Sequence, residues 1–283
     1  MTYVALFVKI DAYNYRYFHG NTEDTKKRRI YMTDAKTLAY INMYAILGTL
    51  ENLCELDSEA SALVKTKKPV SVALAVTDGP SATITFKNGR CRMEQGIKNC
   101  DVLLPFSSCE KFNGMIDGTV TPIPCKGFSK VGFLLGKFIP LTDKLSAYLR
   151  PSEEDLKDDK FFEISTKLMF YVITVALSQI GNNDAIGKFS ASLIEDGVVE
   201  VSIKDCVSAG IVVKNNHLVT IKEKPAKFRA KMEFDNIRLA RDLFDGKVNS
   251  IAEVGKGTIS IVGLISMVDN VNRILDRVAL YLA

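Results

Sequence analysis

Apolar and polar residues alternate with period two over Phe228–Phe234, where Phe228, Ala230, Met232 and Phe234 interleave with Arg229, Lys231 and Glu233. That is the pattern of a strand with one buried and one wetted face. A switch to helical spacing follows. Ile237, Ala240 and Phe244 recur on one side, Asp235 is placed to cap the free N–H groups of the first turn, and Gly246 is suited to end the helix. After a polar loop, Gly255 and Gly257 lead into a second alternating strand, Thr258–Ile261, which Gly263 ends. The remaining residues read as a closing amphipathic helix.

The same plan occurs twice. Val72–Gly89 lies over Val199–Asn216 without a gap, 127 positions apart, with Val72/Val199, Asp78/Asp205, Ser81/Ser208, Ala82/Ala209, Ile84/Ile211, Lys87/Lys214 and Asn88/Asn215 identical. Beyond one slipped residue, Phe106, Asp117, Gly118 and Gly127 answer Phe234, Asp245, Gly246 and Gly255, and Tyr148 answers Tyr281. Each copy opens with an amphipathic helix, about Thr37–Cys54 and Phe161–Ile180, with Leu38, Ile41, Ala45 and Leu53 on one buried stripe and Ile164, Leu168, Tyr171, Val172 and Val175 on the other. A meander follows, turning at Asp78-Gly79-Pro80 and Asn88-Gly89 in the first copy and at Asp205-Cys206 and Asn215-Asn216 in the second. Ser107-Ser108-Cys109-Glu110 reads as a capping box for the short helix of the first copy.

Between the copies runs the most charged stretch of the chain, Pro151–Lys160, so the domain boundary is expected there, with domains 1–150 and 151–283. Residues 1–37 have no counterpart in the second copy. Tyr3–Ile10 reads as an added edge strand, followed by the aromatic cluster Tyr13, Tyr15, Tyr17 and Phe18 and the basic run Lys26–Arg29 as a solvated loop.

The pattern Phe234…Leu243-Phe244-x-Gly246-Lys247…Gly255-Lys256-Gly257…Ile259-x-Ile261-x-Gly263 resembles the C-terminal half of the sterol carrier protein 2 family of lipid-binding domains. The resemblance implies an α+β protein of two tandem domains, each a mainly antiparallel five-stranded sheet covered on one face by helices. It also implies an apolar tunnel between the layers. Lining candidates by position are Phe112, Met115, Phe133 and Leu134 in the first copy and Leu239, Leu243, Ile261, Met267 and Ile274 in the second. The first copy departs from the pattern. Pro122, Pro124 and Pro140 interrupt it, Gly127–Phe133 replaces the glycine-flanked strand, and its closing helix reads shorter, so its pocket is expected to be altered or collapsed. A dry tunnel of ~300 Å3 would cost about 7 kcal/mol at about 24 cal/mol per Å3, as much as a domain's whole stability. A guest, water or the chain's own side chains must fill it.

Composition and candidate chemistry narrow the reading. With 37 basic and 33 acidic side chains the net charge is only +4, which gives no strong pull on nucleic acid. Six cysteines, at 54, 91, 100, 109, 125 and 206, contain no C-x-x-C pair, so buried free thiols in a reducing, cytoplasmic setting are expected. Cys109 stands in a first helical turn, where a thiolate is favoured, but its phase is apolar. His19 and His217 have no carboxylate or cysteine at metal-ligand spacing, and nucleophile-elbow, Walker and dinucleotide motifs are missing. Asp57 with Glu59 and Glu195 with Asp196 read as solvated pairs. No catalytic residue, metal or cofactor is expected. The partner expected is an apolar small molecule or lipid, with no nucleic acid and no stable membrane insertion; whether the chain forms a homodimer stays open. The alternative is a structural or interaction platform that has kept the fold and lost the tunnel.

Overall fold

The structure, a computed structural model, describes residues 33–282. The expected N-terminal strand, the aromatic cluster, the basic run and His19 lie outside them. Among the described residues, Leu38–Leu168 belong to one compact unit, and residues 33–37 and 169–282 to a second. The charged stretch forms a helical turn, Asp155–Lys157, and the start of the next long helix.

The described chain opens with a continuous helical run, in the first unit from Leu38 on: α1 (Ala35–Tyr40), a π-turned stretch Ile41–Ile46, a short 3-10 turn Leu47–Thr49 and α2 (Leu50–Leu56). Then come α3 (Ser58–Leu63), β1 (Val70–Val76), β2 (Ser81–Lys87), β3 (Arg90–Gln95), β4 (Val102–Phe106) and α4 (Cys109–Ile116). The first unit closes with α5 (Val131–Phe133), a π-turned Leu134–Phe138 and α6 (Ile139–Leu149). The second unit repeats the order. It has α7 (Asp159–Asn183, begun in the first unit), α8 (Ala185–Ser192), β5 (Gly197–Ile203), β6 (Val207–Lys214), β7 (His217–Ile221), β8 (Ala230–Phe234), α9 (Ile237–Phe244), α10 (Ser250–Lys256), β9 (Ile259–Gly263) and α11 (Ile265–Leu282).

The strand orders are β3-β2-β1-β4 and β7-β6-β5-β8-β9, so the fold is α+β with two mostly antiparallel sheets, consistent with two tandem sterol-carrier-like domains. Their registers correspond residue by residue. Val72 faces Ile84 as Val199 faces Ile211, Lys87 faces Arg90 as Lys214 faces His217, and Val72 lies beside Val102 in parallel as Val199 lies beside Ala230. The turns match as well: Asp78 and Asp205 have φ of 55° and 54°, Asn88 and Asn215 of 52° and 50°. Asp and Asn adopt this left-handed conformation more readily than other side-chain-bearing residues, which is why the sequence marks both turns.

The first sheet has four strands where five were expected. What corresponds to β9 is a single bridge, Leu103 to Lys126, held by Cys125 N–H to Leu103 O at 3.0 Å and Leu103 N–H to Lys126 O at 3.2 Å. Pro122 and Pro124 have no N–H to donate to a ladder, and that limits the strand to its last residues. The bridge also corrects the alignment of Gly127 with Gly255. Gly127 (φ 90°) sits against the Asp101 carbonyl as Gly263 (φ 88°) sits against that of Arg229, and an added Cβ would lie 2.2 and 2.1 Å from those oxygens. Nor is the closing helix of the first unit shorter. It is helical from Val131 to Leu149, and Pro140 is accommodated just after the π-turned stretch, where the regular i to i−4 ladder is already interrupted.

One polar clasp recurs in each unit. Asp57 caps α3 through Glu59 N–H and Ala60 N–H, receives the Tyr148 hydroxyl at 2.8 Å and pairs with Lys144 at 3.1 Å. Asp184 caps α8 through Gly187 N–H, receives Tyr281 at 2.8 Å and pairs with Arg277 at 2.6 Å. Asp57 is therefore buried, against the expectation of a solvated pair with Glu59; Glu59 alone is exposed. The helix α7 is long and apolar enough to cross a bilayer, yet Leu168, Phe170, Val172, Ala176, Leu177 and Ile180 along it are buried in the protein.

Candidate functional site

The short helix after the fourth strand differs most between the units. Its N-cap is one residue later than the sequence suggested in both cases: Ser108 accepts from Lys111 N–H, and Asn236 from Leu239 N–H at 2.9 Å. Serine and asparagine have short side chains that reach a first-turn N–H from the extended N-cap conformation, so the shift costs nothing in capping.

In the first unit this helix is sealed. Cys109, Phe112, Met115 and Ile116 are all buried, and the Phe112 ring meets Phe106 edge-on at 5.2 Å. Leu134 is buried, and Phe133 is half-buried with its ring 5.3 Å from that of Phe86. A cavity lined by Ile46, Leu47, Ile116, Thr142, Leu145 and Leu149 measures only about 10 Å3, room for no more than a water molecule. The four first-unit candidates Phe112, Met115, Phe133 and Leu134 thus belong to packed or half-packed side-chain layers.

In the second unit α9 is strongly amphipathic, yet only Ala240 and Arg241 on it are buried. Arg241 is held by Asp245 at 2.9 Å. Ile237, Leu239, Leu243 and Phe244 stay half-exposed, although the Phe244 ring lies edge-on to Phe234 at 6.2 Å. Ala240 occupies the place of Phe112, a small side chain where the first unit has an aromatic ring. Ile261, beside Met232 in the sheet, is half-exposed too, whereas Met267 and Ile274 are fully buried in the stripe of α11. Of the five second-unit candidates, Leu239, Leu243 and Ile261 therefore face partly outward, and Met267 and Ile274 are core.

The loop expected after Gly246 contains a helix, α10, which adds apolar surface that the sequence did not reveal. Asn249 caps it through Ile251 N–H and Ala252 N–H at 3.0 and 3.1 Å, and Gly257 (φ 78°) ends it. The buried Glu253 fastens it, accepting from Thr258 and Lys256 at 2.7 Å each. On and beside it, Ile251 is 80% exposed, Val254 40%, Val262 52% and Ile265 71%. Four apolar side chains from α10, β9 and the start of α11 are left in water, each element following the last in the chain and α10 packing on β9. Single exposed apolar residues are ordinary; Val262 points to the face of β9 opposite Ile261, while Ile251, Val254 and Ile265 stand on the helices either side of the strand.

Ionisable groups offer little chemistry here. Among the described residues no group of three or more His, Cys, Asp or Glu side chains is placed to hold a metal ion. Cys109 is buried against the turn at Gly79. Burial pushes the Asp184 carboxyl up, but hydrogen bonds from Arg277, the Gly187 N–H and Tyr281 outweigh it and hold the group below the usual carboxylate range. Such a carboxylate is committed to structure and is a poor proton acceptor.

No protein-family profile matches the chain, and no curated protein does. Parts of it are similar to solved structures. A UbiJ-SCP2 ubiquinone synthesis protein shares 17% identity over 37% of this chain and 90% of its own, with a TM-score of 0.31. The sterol carrier protein domain 2 of Helicoverpa armigera shares 15% over 39% and 88%, at 0.33. Sterol carrier protein 2 from Yarrowia lipolytica in its apo form shares 16% over 36% and 90%, at 0.26.

Proposed function

We propose that the protein is a non-enzymatic binder of a lipid, fatty acid, sterol or other apolar small molecule, taken up by the second unit at α9, α10 and β9. The observation that carries the reading is the contrast between the two short helices. The first unit seals its helix with Phe112; the second has Ala240 there and leaves Ile237, Leu239, Leu243 and Phe244 half in water. Taking such a side chain from full exposure to full burial is worth about 1.5–3 kcal/mol, and each here can still gain the part that remains in water. A guest covering several of them gains binding energy that the free protein forgoes. Leu239, Leu243 and Ile261 contact the guest first, with Ile251, Val254 and Ile265 at the rim. Met267 and Ile274 become lining only if α11 yields.

The packed interior of the first unit supports a second role for that half, as a platform that carries the other. Mass spectrometry of organic extracts from the purified full chain, with titration of a fluorescent fatty acid, separates the two readings. A near-stoichiometric acyl or sterol species, or saturable uptake weakened by Leu243→Ser, is the expected result. A clean extract with no uptake leaves only the platform.

A further inference from the structure

In the first unit α2 lies against β3, and Glu51 on α2 accepts the Met93 N–H of β3 at 2.7 Å. One turn further along the helix, the thiol of Cys54 meets that of Cys91 with 3.8 Å between the sulfurs. Both are buried and unoxidised.

The same contact exists in the second unit with different atoms. Positions 127 further on are Gly181 and Leu218, and a Cβ built on Gly181 would stand 2.8 Å from the Leu218 side chain. Helix and strand thus meet at equivalent points in both units, and glycine against leucine suffices to pack them. Two thiols facing each other are not required by the fold. They do place two sulfurs within about 2 Å of disulfide bonding distance.

We propose that Cys54 and Cys91 are a modification site, a dithiol that a small-molecule disulfide such as oxidised glutathione converts into an intramolecular disulfide clamping α2 to β3. The hydrogen bond with Cys91 holds the Cys54 thiol below its ordinary range, which raises its thiolate fraction. One protein thiolate attacks a sulfur of the glutathione disulfide and expels one glutathione thiolate. The second protein thiolate attacks the protein-side sulfur of the mixed disulfide and expels the other. The protein pair gives up two electrons and its two thiol protons, and the oxidant leaves as two glutathione thiols. Access comes from opening of β3, the outermost strand in the order β3-β2-β1-β4, since edge strands open at lower free energy than central ones.

The experiment incubates the full chain at graded ratios of reduced to oxidised glutathione, blocks residual thiols with N-ethylmaleimide and maps the peptides. The expected result is a linked Cys54–Cys91 peptide with no retained glutathione on it and loss of label at both of these positions, apart from any glutathione taken up by the exposed Cys125. A thermal midpoint raised by about 10 °C and reversed by dithiothreitol accompanies it. Cys54→Ala and Cys91→Ala each abolish both changes. Persistence of both thiols as labelled species in fully oxidised glutathione overturns the proposal, as does glutathione stranded on either residue without ring closure. Should a variant fail to fold, the peptide map of the unsubstituted protein decides alone.

Discussion

Ala240 stands in the second unit where Phe112 stands in the first, each fully buried on the helix that follows its unit's fourth strand. One ring is the difference between a sealed layer and one whose neighbours remain half-wet. Ala240→Phe is expected to lower uptake of a fluorescent fatty acid at least tenfold. Overpacking costs about 1–3 kcal/mol, and circular dichroism with a denaturant titration shows whether the fold survives. Unchanged uptake by a folded variant removes α9 from the site.

The converse substitution probes the first unit. Phe112→Ala removes a ring that meets Phe106 at 5.2 Å in a packed layer. The loss expected is about 3–5 kcal/mol, read as an earlier urea midpoint, with fatty-acid uptake unaltered. A Kd that changes with Phe112 would move binding to the half read as closed.

Asp184 and Arg277 form the better-buried of the two clasps, with side chains only 5% and 8% exposed, whereas Lys144 opposite Asp57 is 24% exposed. Asp184→Ala leaves a buried guanidinium without its carboxylate and is expected to cost about 3–5 kcal/mol. Asp57→Ala should cost less, because Lys144 can turn to water and to Glu59, 2.7 Å away. Tyr281→Phe removes the bond donated to Asp184 and the one accepted from the Asp34 N–H, about 1–3 kcal/mol together. Equal losses for the two aspartates in denaturant titrations would contradict this order.

Acid should act through the same groups. For both Asp57 and Asp184 burial raises the pKa, but hydrogen bonds, led by Tyr148 and by Arg277 respectively, bring it below the ordinary value. A carboxyl depressed in the folded state contributes stability above its unfolded pKa of about 3.9, and that contribution is lost as pH falls through the folded value. The thermal midpoint should therefore change little through this pair between about pH 7 and 5 and drop below about pH 4. Asp184→Asn should show a lower midpoint at neutral pH and a shallower fall in acid.

Gly127 and Gly263 make a sharp backbone test. Alanine at either must hold a left-handed φ with its Cβ 2.2 or 2.1 Å from a carbonyl oxygen. A penalty of at least about 1–3 kcal/mol is expected from the strain alone. Gly255 is helical and has open space around it, so Gly255→Ala should be neutral or stabilising by urea titration.

Turns and registers were legible because the residues that make them are few and conformationally special. Asp78, Asn88 and their partners 127 positions on mark both meanders, and the alternation of Val199, Val201 and Ile203 finds the helix-facing side of β5. The helix α10 was not legible. Its apolar residues Ile251 and Val254 are exposed, so no buried stripe announced it, and only Asn249 and Gly257 bracket it as cap and stop. Asp57 was misread because a carboxylate two residues from Glu59 looks solvated. Its repeat partner, Asp184, followed by Ala-Ile-Gly, has no such neighbour and was the available sign. The candidate site was half visible for a related reason. Periodicity reports which positions are apolar, and Leu239, Leu243, Met267 and Ile274 all pass, but only the size of Ala240 against Phe112 sets the two short helices apart.

The matched registers have a consequence for how the chain finds its own partners. Before either sheet forms, β1 and β5 are near-equivalent mates for β4 and β8, each followed by a meander with its two-residue hairpin turn at the matching place. Glu200 and Lys231 break the tie: they sit side by side in the second sheet, 3.6 Å apart, where the first has Ala73 beside Leu103. A hybrid sheet would bury the Glu200 carboxylate against Leu103 without Lys231 beside it, at a cost of several kcal/mol for an unpaired buried charge. The pair thus acts as a label of membership, making each strand's correct sheet-mate cheaper than its double.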